Sequence, residues 1–153
     1  MSKTDLAGLE REAFHRLAHY TRSIDAKDWT GLSEVFAADC VKERLSIDGL
    51  SCEAVITGGE AIIADIAASL GICGPTQHLL GNHTTQLCDG GEVESLTYVR
   101  AFHRGSGQKR SLWLDIMGEY RVRWRPLSEG LRAVRWSLRI FDSIGDPKAV
   151  SPS

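Results

Sequence analysis

"TQHLLGNHTTQLCDGGEVESLTYVRAFHRG", residues 76–105, is the stretch that decides how this chain folds. At its centre stands Asp89–Gly90–Gly91, a tight-turn signal, because glycine supplies the positive φ that a short hairpin needs. The flanks, 76–88 and 92–104, are rich in Leu, Thr, Val, Tyr and Phe, so they are predicted to be strands of an antiparallel hairpin. The hairpin carries His78, His83 and His103. Side chains alternate faces along a strand, so His78 and His83, five residues apart, are expected on opposite sides. His78 lies at the start of the first strand and His103 at the end of the second, so the turn makes them near neighbours across the ladder. Neither face of the first strand is cleanly apolar, so alternation alone does not choose which of the two rings looks inward.

The same grammar continues after the hairpin. Strands are predicted at 110–124 and 131–142, separated by Gly105–Ser106–Gly107 and by Pro126–Leu127–Ser128–Glu129–Gly130. Four strands joined by short turns make an antiparallel meander. Before residue 75 the periodicity is helical. In 4–24, Leu6, Leu9, Ala13, Leu17, Tyr20 and Ile24 fall on one stripe, with Thr4 as the expected N-cap. A second helix is predicted over 29–38, capped by Asp28, with Leu32, Val35 and Phe36 as its apolar side. A third is predicted over 60–70, after Gly58–Gly59 and ending at Gly71. A short strand pair, 41–46 and 52–56, precedes it. Helices first and sheet second give an α+β class: three N-terminal helices and a long curved antiparallel sheet that curls around an internal pocket. The 153 residues are read as one domain, with a core over about 6–142 and a polar, frayed tail at 143–153.

Composition narrows the function classes. Apolar residues make up 42% and charged residues 25%, with net charge −2, so no basic footprint points to nucleic acid. No apolar run approaches a membrane span, and MSKTDLAGLEREAF has no apolar core of a secretory signal. Cys40, Cys52, Cys73 and Cys88 form no CxxC pair, so zinc and redox motifs are not expected. They are read as small buried hydrophobes in a reducing compartment, the cytoplasm.

Candidate chemistry lies in the histidines and in "SIDAKDW", residues 23–29. Asp28 has a capping task. Asp25 follows the first helix, where a carboxylate meets the negative end of the helix dipole and needs a compensating partner. An imidazole would serve. A carboxylate fixes the tautomer of a histidine and stabilises its protonated form. A second histidine across the substrate, donating a proton to a leaving oxygen, would complete an elimination of water. Other features carry blander readings. His15 and His19 are four apart on the first helix, but Arg16 follows His15, and no metal is expected. Asp115 and Glu119 share a face with Trp113 and Met117 and are read as an outer charged face or subunit contact, with a place in the pocket as the alternative. Trp124, Arg135, Trp136 and Arg139 are read as packing, Trp to one side and Arg to the other. Gly58–Gly59 lacks the Lys and Ser/Thr of a phosphate loop and is read as a plain helix start.

At these residues the chain resembles a known family. "YTRSIDAKDWTGLSEVFAADC", "TQHLLGNHTTQL", "YVRAFHRG" and "GEYRVRWRP…GLRAVRWSLRI" resemble the SnoaL-like branch of the nuclear-transport-factor-two-like superfamily, over about 6–142. Scytalone dehydratase and hexachlorocyclohexane dehydrochlorinase are the characterised relatives it looks most like. The resemblance implies a cone: a bent sheet wrapped on three helices around a deep apolar pocket, often assembled into oligomers through the outer sheet face. It also implies a catalytic dyad of Asp25 and His78, with His103 as a second catalytic histidine, so that His78 looks inward and His83 faces outward or packs on a neighbour. It implies no cofactor and no metal, a small-molecule substrate, and a homo-oligomer, a dimer or trimer. The chain departs from scytalone dehydratase where tyrosines help polarise substrate: Ile24 precedes Asp25, and the first-strand position falls near Glu43. The family's strand asparagine falls near Ile116 or Met117. Substrate identity therefore does not carry over. The expected function is a cofactor-independent, dehydratase-like lyase acting on a small, mostly apolar cyclic or polyketide-like substrate. The alternatives are an isomerase or cyclase on the same fold, or a non-catalytic ligand-binding or assembly subunit.

Overall fold

The computed structural model describes residues 3–152, with side chains from residue 5. Helix α1 (Lys3–Ala26) carries the predicted stripe inward: Ala13, Leu17, Tyr20 and Ile24 are all buried. Thr4, expected as its cap, lies inside the helix, and its side chain is outside the described residues. Helix α2 (Gly59–Leu70) ends before Gly71 as expected and buries Ile62 and Ile66. Its start explains the glycine pair. Gly58 turns the chain at φ +101°, and a Cβ on Gly59 would stand 2.7 Å from the Ala37 carbonyl oxygen. One glycine makes the turn and the other lets the helix lie against the first strand.

The second predicted helix is not formed. Thr30–Glu34 is one 3-10 turn, and the chain then enters strand β1 (Phe36–Leu45). The expected apolar side holds, since Leu32, Val35 and Phe36 are buried. The secondary structure is decided by a partner: the Ala133 amide donates to the Val35 carbonyl at 2.8 Å and starts a strand ladder. There are thus two α-helices among the described residues rather than three.

Strands β2 (Cys52–Thr57), β3 (Thr76–Leu87), β4 (Val93–Arg104), β5 (Trp113–Leu127) and β6 (Gly130–Gly145) complete one curved, unclosed sheet, in the order β2-β1-β6-β5-β4-β3. The predicted meander is β3 to β6. The sheet is mixed rather than antiparallel, because β1 runs parallel to β6. Residue patterns report faces and say little about the direction of a distant neighbour. The expected frayed tail is also corrected. Residues 143–145 belong to β6, and Pro147–Val150 forms a 3-10 turn with Ala149 buried. Asp146 accepts from the Lys148 amide, and Lys109 Nζ donates to the Ser151 and Pro152 carbonyls at 2.8 Å each.

The concave face holds the core. Trp136, fully buried, packs on Tyr20, Phe36, Tyr120 and Trp124 with ring centroids 4.5–6.2 Å apart. Arg135 and Arg139 fall on the other face, so the alternation resolves as tryptophan in and arginine out. Arg135 binds Glu43 through two hydrogen bonds of 3.0 Å. Cys40 and Cys73 are buried as expected, whereas Cys52 is exposed and Cys88 half-buried; all four are free thiols. No helix among the described residues is long and apolar enough to cross a membrane.

Candidate active site

Asp25 stands in the last turn of α1. The helix stops because Lys27 takes a left-handed φ of +57°, and the Lys27 ammonium donates to the carbonyls of Leu70 at 3.0 Å and Gly74 at 3.3 Å. One lysine thus ties the end of α1 to the end of α2 and to the approach of β3. Asp28 secures the entry to the Thr30–Glu34 turn, accepting from the Thr30 hydroxyl at 2.7 Å and the Gly31 amide at 3.3 Å.

The Asp25 carboxylate meets the dipole end that disfavours it, and three donors compensate. Oδ1 accepts from Thr76 Oγ1 at 2.8 Å and His78 Nδ1 at 2.7 Å, while Oδ2 accepts from the His78 amide at 2.9 Å. Burial alone would raise its pKa. The bonds from His78 and Thr76 outweigh that and hold the group below its ordinary 3.8. An ionised carboxylate only accepts, so His78 Nδ1 carries the proton and Nε2 is left as the ring's acceptor. The His78 side chain is only 4% exposed.

His103 sits beside it, with ring centroids 5.4 Å apart and planes at 89°. The register differs slightly from direct opposition: His78 pairs with Ala101 and His103 with Thr76, so the rings meet diagonally. His103 is buried, and its Nδ1 has no hydrogen-bond partner among the described residues. Burial, and then the neighbouring His78, lower its pKa below the ordinary 6.5. Burial and the neighbouring ring thus favour the neutral form of His103, which suits a hydrogen bond to a leaving oxygen.

Of the two expectations for His83, packing on a neighbour holds and an outward face does not. Asn82 adopts φ +50° at a bulge between Gly81 and Thr84, so β3 gains one residue against β4 and its later side chains change face. His83 consequently points inward. It exchanges hydrogen bonds with Thr97 Oγ1 at 2.7 Å and Thr85 Oγ1 at 3.1 Å and packs on the Phe14 ring. It does not line the His78 cavity.

That cavity, about 230 Å³, is lined by His78, His103, Tyr20, Tyr120, Lys42, Asp65 and Ser69 among an apolar majority that includes Ile66, Leu70, Val99, Ile116, Leu138 and Ile140. Val150 of the terminal turn also borders it. Pockets for drug-sized ligands are roughly 300–1,000 Å³, so this smaller space suits a molecule of one or two rings. Burial raises the pKa of both tyrosines, which keeps their phenols protonated. Sequence reading misses Lys42 and Asp65, and it counts Tyr20 only as part of an apolar stripe. It places Glu43 at the first-strand position, one residue away. Glu43 faces the opposite side, bound to Arg135 and to Ser137 Oγ at 2.7 Å. The alternation within "CVKERL" puts Cys40 and Lys42 on one face, and that is the available signal.

Asp115 and Glu119 are on the convex face, and Asp115 binds Arg100 with a shortest contact of 2.8 Å. His15 is exposed, and His19 Nε2 lies 2.8 Å from the Gly31 carbonyl, which makes it a structural contact. Among the described residues no group of three or more His, Cys, Asp or Glu is placed to hold a metal ion.

A curved, unclosed sheet over two helices, with a carboxylate-bound histidine lining its cavity, is the cone-like α+β architecture expected from the sequence. The chain belongs to the SnoaL-like domain family, whose profile matches residues 9–137. Similar solved structures include a Novosphingobium aromaticivorans protein provisionally named a scytalone dehydratase. It is 18% identical, covers 95% of this chain and 92% of its own, and has a TM-score of 0.80. The hexachlorocyclohexane dehydrochlorinase LinA-type3 of Novosphingobium barchaimii is 10% identical, with 95% of each chain covered and a TM-score of 0.78. A provisionally named β subunit of an aromatic-ring-hydroxylating dioxygenase from N. aromaticivorans is 13% identical, covering 94% of this chain and 96% of its own, at a TM-score of 0.72. At these identities the likeness is one of fold. No curated protein sequence matches the chain.

Proposed function

We propose that this protein is a cofactor-independent, dehydratase-like lyase acting on a small, mostly apolar cyclic or polyketide-like molecule. The observation that carries the reading is the 2.7 Å contact of Asp25 with His78, whose ring lines an apolar cavity together with His103. His78 Nε2 removes a proton from carbon next to an activating group. The C–H electrons form the new double bond, and the bond to the leaving oxygen breaks. His103 donates a hydrogen bond to that oxygen. The proton held on His78 leaves with it as water, so the enzyme is returned unchanged. Asp25 orients the ring and stabilises the transient imidazolium. The buried Tyr20 and Tyr120 phenols supply further neutral polar groups on the wall.

The exposed Leu79 and Tyr98, with Met117 and Phe141 beside them on the convex face, support the expected homo-oligomer. Light scattering on the purified protein reads a dimer or trimer directly. The activity is tested by a screen of small cyclic alcohols and ketones, with product mass and solvent deuterium exchange as the readouts. Loss of water supports the lyase. A product of unchanged mass would instead assign an isomerase or cyclase. Turnover that survives Asp25→Asn or His78→Ala would sink the dyad.

A further inference from the structure

Lys42 has no role in the proposed elimination, yet it lines the same cavity. It stands on β1, whereas His78 stands on β3 at the far edge of the curved sheet, so a ligand touching both spans the pocket. The Lys42 side chain is 19% exposed. The carboxylate nearest to its ammonium is Asp65, at 3.8 Å, beyond hydrogen-bonding distance, and Asp65 is itself 44% exposed. No hydrogen bond joins the ammonium to any described residue. The cavity it lines is mostly apolar, with Ile66, Leu138 and Ile140 in its wall beside the polar Ser69 and Asp65. A cation held this way is incompletely compensated, since a desolvated ammonium needs close acceptors for its three protons. Burial accordingly depresses its pKa and Asp65 only partly offsets that. A ligand oxygen bearing negative charge would supply the missing acceptor.

We propose that Lys42 is the anion anchor of this pocket, and that its substrate is a small ring compound carrying a carboxylate. That the bound acid is a substrate rests on the proposed reaction; that it binds does not. The Lys42 end holds the acid group, and the His78 end receives the carbon that loses its proton. Lys42 is thus a specificity-determining residue.

Calorimetric titration of the full chain with 2-naphthoate and with its neutral isostere 2-naphthamide tests this at neutral pH. The wild-type protein is expected to bind the acid about tenfold more tightly than the amide, the gain of one charge-assisted contact. Lys42→Met is expected to erase that preference while amide binding persists, which also reports that the pocket is intact. Lys42→Arg, which keeps the charge, is expected to retain it. The proposal is overturned if wild type binds the two probes equally or fails to bind the acid, or if the preference survives Lys42→Met, which would move the anion to a histidine. His78→Ala separates the two readings, because it removes the base and leaves Lys42 in place. A preference that persists there alongside undiminished turnover refutes the dyad and not the anchor.

Discussion

Asp25→Asn is the most informative single substitution. The carboxylate offers acceptors to three donors, the Thr76 hydroxyl, the His78 amide and His78 Nδ1–H, all at 2.7–2.9 Å. Asparagine keeps one oxygen and replaces the other by an NH2 donor. With its oxygen on the His78 amide, the NH2 group faces the imidazole, which can only answer by accepting at Nδ1. The ring proton then moves to Nε2, the atom required as base. With the amide reversed, NH2 confronts the His78 N–H, and a buried donor is left unpaired. That costs about 1–3 kcal/mol of stability, or about 2–4 °C of melting temperature per kcal/mol for a chain this size. The chemical loss is larger. Loss of tautomer control at a carboxylate-oriented histidine lowers kcat by ~10⁴. The assay is turnover of a substrate found by the screen, with a thermal melt of the same preparation. A folded variant retaining kcat within about tenfold of wild type would refute the dyad and the tautomer assignment together.

The same geometry sets other outcomes. His103→Ala is expected to slow elimination by about 10² while His78-dependent deuterium exchange at carbon continues; equal loss of both would place His103 on the proton-abstraction step. His83 and His103 have pKa values lowered below 6.5, chiefly by burial, so the unfolded chain takes up protons more readily there. Stability is therefore full above pH 6.5 and falls as pH drops through it, and His103→Asn should flatten that slope in melts between about pH 7 and pH 5. Asp25 adds stability of opposite origin, present above its ordinary 3.8 and lost as pH falls below it, which Asp25→Asn abolishes. At the bulge, Asn82→Gly is expected to be near neutral, whereas Asn82→Val should cost about 1–2 kcal/mol at its left-handed φ; equal melts for the two would show that the bulge does not depend on residue 82.

How much of this is legible in the sequence depends on whether a feature is local. The α1 stripe, the Asp89–Gly91 turn and the meander are set by neighbours in sequence; the first two can be read nearly to the residue, and the later strands to within about three. Asp25 stands out because its place at a helix end is electrostatically uncomfortable, and His78 and His103 because one short turn pairs their strands. The errors share a different cause. Phe36–Cys40 is extended as the start of a strand because β6, some hundred residues later, offers a ladder. His83 changes face because of a bulge that no period-two pattern announces. Lys42 escapes notice because a one-residue error in register exchanges the inner and outer faces of a strand. Ala149 and Val150 are hidden in a polar tail because two small apolar residues carry no periodicity.

The positions of the charges also orient any ligand. Asp25 lies behind His78 and is held ionised, so an anionic substituent at that end of the cavity meets a like charge through the imidazole. His103 adds no compensating charge there, because burial and the neighbouring ring keep it neutral. The tyrosines stay neutral as well. Lys42 is then the cation within the cavity wall, partly answered by Asp65 at 3.8 Å. An organic acid entering this space is driven to seat its carboxylate on β1 and leave its ring carbons against β3, where Nε2 of His78 is the free base. Reversing the ligand would place negative charge beside Asp25 and leave the ammonium without its acceptor. Both terms act in the same direction. In the proposed reaction the dyad decides which bond can break, and the lysine decides which part of the molecule is presented to it.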